Sequence, residues 1–325
     1  MKGEVYNQSK WVVMKAAYFY YVHDKPLKEV ADILNVSKST VSRLIKRAKK
    51  ERIVEFVMPS PYKQCLELEH ELVEQFELKE AIVVPSVYKT EDIIDAEKSK
   101  MSVALEGARY IQRIITSNDI LGIAWGGTMY YLINYLNPCQ KTDSTFVTLH
   151  GSLSCCDYEL DVNTLVPRMS MAFGGRHYSL SYEGLLSSEE KINLLKSKKD
   201  VKQVFSLFHK LTISVSGIGS FYPKLDSPLS RLQYLQADEL AFLQGKGVYG
   251  DIMLRFFDEN GKECDTNLKG RTLAIDMDTY KKIPCKIIVA SGVQKAKTLQ
   301  AALKGKLVDV LIIDSALAQA IVIQN

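Results

Sequence analysis

The run ILGIAWGGTM at residues 120–129 decides how the rest of the chain is read. Six uncharged, mostly apolar residues bounded by a glycine turn form a short strand buried on both faces. Gly126, Gly127 and Thr128 then lead into an amphipathic segment at 129–136. Strand, glycine turn and helix, in that order, are the repeating unit of a parallel sheet covered by helices.

Outward from this point the same alternation runs from Ala81 to the end of the chain. Strands are expected at 81–84, 120–125, 145–149, 177–181, 211–215, 250–257, 287–290 and 308–313. Helices are expected at 94–115, 129–136, 162–173, 189–196, 240–243, 295–303 and 315–320. The fold class is α/β, with one large open-sheet domain over residues 81–325.

Four of these strands end in glycine turns: Gly126-Gly127-Thr128, His150-Gly151-Ser152, Ser216-Gly217-Ile218-Gly219-Ser220, and Ser291-Gly292 followed by Lys295. Ligands of open parallel sheets sit beyond the carboxyl ends of the strands, where glycine lets the backbone approach and helix N-termini offer free N–H groups. One such turn is ordinary turn geometry; four on one edge point to a site for a small phosphorylated molecule. Gly126-Gly127-Thr128 suits an oxyanion, with the Thr128 hydroxyl as an extra donor. Asp251 reads either as an acceptor for sugar hydroxyls or as a turn aspartate, and Lys295 either as a counter-charge to phosphate or as an exposed helix lysine. No G-K-[ST] follows the glycines and no G-x-G-x-x-G opens a dinucleotide fold, so neither nucleotide motif is present.

The 325 residues, 46% hydrophobic and 25% charged, have globular composition and room for two or three domains. No apolar run is long enough to cross a bilayer; Lys15 interrupts the best one, at 11–22. Six cysteines without C-x-x-C spacing and five scattered histidines give no metal motif. A soluble cytoplasmic protein with reduced thiols and no cofactor is expected.

Net charge is only +4, yet residues 1–55 carry twelve Lys/Arg against six Asp/Glu. The remaining residues are therefore slightly acidic, and any attachment to a polyanion belongs to the N-terminus. There the pattern is helical three times. Residues 9–22 form an aromatic-rich supporting helix. Pro26 opens a second helix with Leu27, Val30, Ala31 and Leu34 on one face, ending at Asn35. Ser37 caps a third, whose inner stripe is Val41, Leu44, Ile45 and Ala48. Two short helices joined by so few residues form a helix-turn-helix, here assigned to residues 1–58.

Outward on the third helix lie Lys38, Ser39, Thr40, Ser42, Arg43, Lys46 and Arg47, and with Ser37 these are the expected DNA contacts. Arg43 is expected to reach a base, and the later cations to hold phosphates. RIVEFVM at 52–58 reads as a small wing strand or as a segment closing the module's core. Pro59-Ser60-Pro61 breaks the pattern. A helix at 62–76 follows, within a linker assigned to 59–80, free to pair with a twin or to pack on its own domain.

The blocks LKEVADILNVSKSTVSRLIKRA (27–48), GIAWGGT (122–128), GVYGDIMLRFFDENG (247–261) and PCKIIVASGVQKAKTLQAALKGKLVDVLIID (284–314) occur in one order over nearly the whole chain. In this the chain resembles the SorC family of sugar-responsive bacterial transcription regulators. The resemblance implies a C-terminal domain similar to ribose-5-phosphate isomerase and glucosamine-6-phosphate deaminase that binds a phosphorylated sugar, in a dimer or tetramer. It places effector contacts on Gly126, Gly127, Thr128, Asp251, Ser291, Gly292 and Lys295. His150-Gly151-Ser152 departs from the family's glycine-richer turn. Operator DNA and a sugar phosphate are then the partners, with no catalysis. The alternative is a phosphosugar isomerase or deaminase with an appended DNA-binding module, using Asp251 or Asp314 as base.

Overall fold

In the computed structural model, which describes residues 9–90, 93–138, 140–153, 157–230 and 234–323, three helices open the chain: α1 (Lys10–Tyr21), α2 (Leu27–Leu34) and α3 (Lys38–Lys50). Val13, Ala16 and Ala17 of α1 meet Val30 and Ala31 of α2 and Val41, Leu44, Ile45 and Ala48 of α3 in one buried cluster. Asn35 ends α2 in the left-handed conformation (φ 51°, ψ 48°), which its short polar side chain tolerates. Ser37 caps α3, its Oγ accepting from the Thr40 N–H at 3.1 Å. The wing strand does not form among the described residues: Ile53 and Val54 pack against the helical core, and Val57 is exposed.

The chain divides into two compact units, Met1–Pro59 and Ser60–Asn325. The second begins with α4 (Tyr62–Phe76), β1 (Glu80–Val84), the β2–β3 hairpin (Tyr88–Thr90, Ile93–Ile94) and α5 (Ala96–Ile114). It continues through β4 (Ile120–Ile123), α6 (Gly127–Asn134), β5 (Thr145–Thr148), α7 (Val162–Phe173), β6 (Arg176–Tyr178), α8 (Glu189–Ser197) and α9 (Lys199–Phe208). Then come β7 (Ile213–Ser216), β8 (Gly219–Ser220), α10 (Ala237–Gly245), β9 (Gly250–Ile252), β10 (Arg255–Phe257), α11 (Met277–Lys281), β11 (Cys285–Ala290), α12 (Ala296–Lys304), β12 (Val310–Asp314) and α13 (Ser315–Ile323).

The helix expected as a linker is part of this second unit. Cys65, Leu68 and Leu72 of α4 are buried in the core, and Glu69 accepts the Val83 N–H of β1 at 2.8 Å. Its apolar face is therefore spent within its own unit.

Seven strands form one parallel sheet in the order β1-β12-β11-β7-β4-β5-β6. From β4 the chain winds outward through β5 to β6; from β7 it winds the other way through β11 to β12. The direction of winding reverses between β4 and β7, which makes their carboxyl ends the topological switch point. Both faces of the sheet are covered, and β4, β7, β11 and β12 are buried along almost their whole length, whereas the edge strand β6 is largely exposed.

Residues 250–257 are not a strand of this sheet. They form an antiparallel hairpin, β9–β10, turning at Met253 and Leu254, both with positive φ (53° and 64°). β8 pairs with β9 to complete a three-stranded sheet. Two buried apolar residues hold a turn that normally takes Asn-Gly, because their side chains anchor in the core. That anchoring offsets an expected cost of ~1 kcal/mol or more per left-handed residue. The hairpin delivers Asp251 to the carboxyl end of the parallel sheet.

Candidate functional site

At the switch point the turns after β4, β7 and β11 surround a cavity of about 460 Å³. Gly126, Gly127, Thr128, Asp251, Ser291, Gly292 and Lys295 all line it, although they come from two of these turns and a hairpin. Gly126 adopts φ 118°, ψ 166°, a conformation open to glycine, and directly precedes α6, whose first residues Gly127 and Thr128 line the cavity. Gly292 has φ 101°, and its N–H donates to Asp314 Oδ2 at 2.8 Å.

Asp251 is buried, with Oδ1 accepting from Ser227 Oγ at 2.7 Å. Desolvation pushes its carboxyl up to about 6, opposed by the Ser227 hydrogen bond and the Lys295 charge. Gly219 makes room for it: a Cβ there would lie 2.0 Å from Asp251 Oδ1. Lys295 is not an exposed helix lysine. Its Nζ donates to the Ile218 carbonyl at 2.8 Å and lies 3.7 Å from Asp226 Oδ2, and burial lowers its ammonium below the ordinary lysine value while Asp226 and Asp251 oppose that shift. Such a site holds ammonium, carboxylate, hydroxyl and backbone N–H groups, a set matched to a polyol carrying an anion.

Reasoning from sequence missed Lys100, Trp125, Asp226, Ser227 and Gln294, which also line the cavity. Lys100 comes from α5, where it is held by Glu97 at 2.8 Å; Trp125 directly precedes the glycine turn and stacks edge-on with Tyr234. Only the Trp125-Gly-Gly sequence carried any local signal.

The fourth glycine turn does not reach the cavity. His150 fills the space behind it, fully buried, with Nε2 accepting the Trp125 N–H at 3.1 Å and Nδ1–H donating to the Gly151 carbonyl at 2.7 Å. Desolvation pulls its value down to about 4, so the ring is neutral and ties the β4 turn to β5. Asp314 also lies outside the lining, accepting from Ser86 Oγ and the Gly292 and Leu317 N–H groups.

On the helical unit, Ser37, Lys38, Ser39, Arg43 and Lys46 are exposed, with Thr40, Ser42 and Arg47 half-buried. Ser37 Oγ is shared between Ser39 Oγ (2.8 Å) and Thr40 Oγ1 (2.9 Å), so these hydroxyls serve the cap as well as the outer face. Arg47 pairs with Glu51 at 2.5 Å. Among the described residues no cluster of side chains suits a metal ion, and no helix is long and apolar enough to cross a membrane.

Comparison with known proteins agrees with this division. Residues 60–323 match the family described as "Putative sugar-binding domain", and residues 12–51 match sigma-70, region 4. The deoxyribonucleoside regulator of Bacillus subtilis is 28% identical over 316 residues, covering 97% of this chain and 98% of its own. The sorbitol operon regulator of Klebsiella pneumoniae is 28% identical over 305 residues, covering 93% and 94%. The crystal structure of the full-length sorbitol operon regulator SorC from Klebsiella pneumoniae superposes with a TM-score of 0.75 at 26% identity, covering 97% of this chain and 99% of that one.

Proposed function

Because the chain belongs to the SorC family of sugar-responsive transcriptional regulators, we propose that it binds operator DNA through α3 and releases or retains it according to a phosphorylated sugar held at the switch-point cavity. One observation carries the effector half: two strand-end turns and a hairpin bring seven residues, far apart in sequence, around a single cavity, and the turn after β7 closes it. The phosphate lies against the N–H groups of Gly127 and Thr128 and the Lys295 ammonium, the Gly126 N–H being donated to the Leu160 carbonyl, and Asp251 accepts from sugar hydroxyls. The ligand switches the protein only by binding its DNA-competent and DNA-free states unequally.

A binding role, without turnover, is favoured over the isomerase or deaminase alternative. Asp314 is engaged by three donors outside the cavity, and the carboxylates lining it among the described residues are Asp251 and Asp226, with no histidine beside them. Asp226 is moreover taken up by Gln294 and Lys295, which argues against its serving as a second acid–base group beside Asp251. A symmetric pair of helix-turn-helix units would read two half-sites, so a homodimer or homotetramer is the assembly we propose.

A thermal-shift panel of phosphorylated sugars beside their unphosphorylated parents tests the effector half. A ligand at a hundred times its Kd stabilises the native state by about 2.7 kcal/mol. At least one sugar phosphate should raise Tm while its parent sugar does not; equal shifts from both would contradict an anion site. For the DNA half, Arg43→Ala should weaken operator binding by about ten- to a hundredfold, the worth of one arginine–base contact. The same variant should keep the wild-type Tm shift with the sugar phosphate. Loss of both responses in a folded variant would contradict separate sites.

A further inference from the structure

Asp226 stands at the cavity in a position that neither the strand pattern nor the glycine turns explain. It lies on the segment between β8 and α10, its N–H donating to the Ser220 carbonyl at 2.8 Å. Its Oδ2 accepts from Gln294 Nε2 at 2.8 Å and lies 3.7 Å from Lys295 Nζ. Both partners belong to the turn after β11 that is proposed above to hold phosphate. Lys295 is therefore already partnered by a carboxylate of its own chain, which is two-fifths exposed while the ammonium is mostly enclosed.

We propose that Asp226 is a specificity-determining residue that acts as a built-in competitor anion, so that an effector must displace its carboxylate from Lys295 and Gln294 to bind. This rests on the effector site proposed above. A charged pair in a partly enclosed pocket yields to a ligand carrying more charge than the group it replaces, because the cation gains more than it loses. A phosphate monoester near pH 7 carries close to two negative charges and three acceptor oxygens; a sugar acid carries one charge and two. Asp226 thus sets a threshold that phosphorylated sugars pass and carboxylated sugars do not. Displacement also frees the 221–230 segment from the β11 turn, since the Gln294 and Lys295 contacts both end on the one carboxylate.

The test uses the full chain and inorganic phosphate and acetate as probes, titrated by calorimetry into wild type, Asp226→Asn and Lys295→Met. Asparagine keeps the shape and can still accept from Gln294, so folding is preserved. The expected result is phosphate binding at least fivefold tighter to Asp226→Asn than to wild type, acetate binding only in Asp226→Asn, and neither in Lys295→Met. Hydrogen exchange of the 221–230 segment should rise in wild type on adding phosphate and be high beforehand in Asp226→Asn. Unchanged or weaker phosphate binding in Asp226→Asn, with Lys295-dependent binding in wild type, overturns the competitor role and leaves the effector site standing. No phosphate binding in either protein, or binding indifferent to Lys295→Met, overturns both.

Discussion

Lys295→Met is expected to abolish the response of DNA binding to sugar phosphate while DNA binding without ligand persists. The ammonium is enclosed beside the β11 turn, where a charge-assisted hydrogen bond to phosphate is worth about 2–3 kcal/mol, roughly a hundredfold in affinity. Methionine matches the length of the lysine stem but brings no donor. The Ile218 carbonyl loses its partner, so a stability loss of about 1 kcal/mol accompanies the change. Fluorescence anisotropy on an operator duplex, with sugar phosphate titrated in, separates the effects: the variant should bind the duplex as wild type does and ignore the ligand. A wild-type response at wild-type ligand concentration would remove Lys295 from the site.

Asp251 predicts a pH dependence with a definite sign. Its carboxyl sits at about 6 in the fold against an ordinary value of 3.8. Between those values the folded chain holds a proton that the unfolded chain has released. Stability from this group is therefore greatest below pH 4 and falls as pH rises through 6, by on the order of 3 kcal/mol. Asp251→Asn removes the proton and keeps an acceptor for Ser227. Urea unfolding of both proteins from pH 4 to pH 7 should show the variant gaining on wild type as pH rises, with the gap widening most between pH 4 and 6. Parallel curves would mean that the carboxylate is better solvated than its burial indicates. The same cost explains why the group suits a ligand: sugar hydroxyls donating to Asp251 return the hydrogen bonds that burial removed.

Much of this architecture is legible in the chain itself, for physical reasons. Strands buried on both faces are short and mostly apolar, as β4, β11 and β12 are, while β5 and β7 combine apolar residues with buried threonine or serine. Glycine must stand where φ leaves the range of other residues or where backbone nears a buried carboxylate, as at Gly126 and Gly219 respectively. The hairpin at 250–257 escaped because its turn is Met253-Leu254; only packing makes left-handed residues of two apolar side chains. Helix α9, rich in lysine and preceded closely by α8, gave no separate signal. Asp226, Gln294 and Lys100 were invisible as site residues because isolated polar residues acquire a role only when the turns converge. His150 shows the converse, a glycine turn that looks like part of a ligand edge but whose own side chain fills the gap.

A chain that joins a basic DNA-reading helix to an anion site should change its hold on DNA when that site fills. Anisotropy of a labelled duplex taken from upstream of its own coding sequence, at low salt, with and without a panel of sugar phosphates, addresses this directly. Tight, salt-sensitive binding that one sugar phosphate shifts at least tenfold is the predicted result. Binding to that duplex that no sugar phosphate alters, or no binding under any of these conditions, would contradict it.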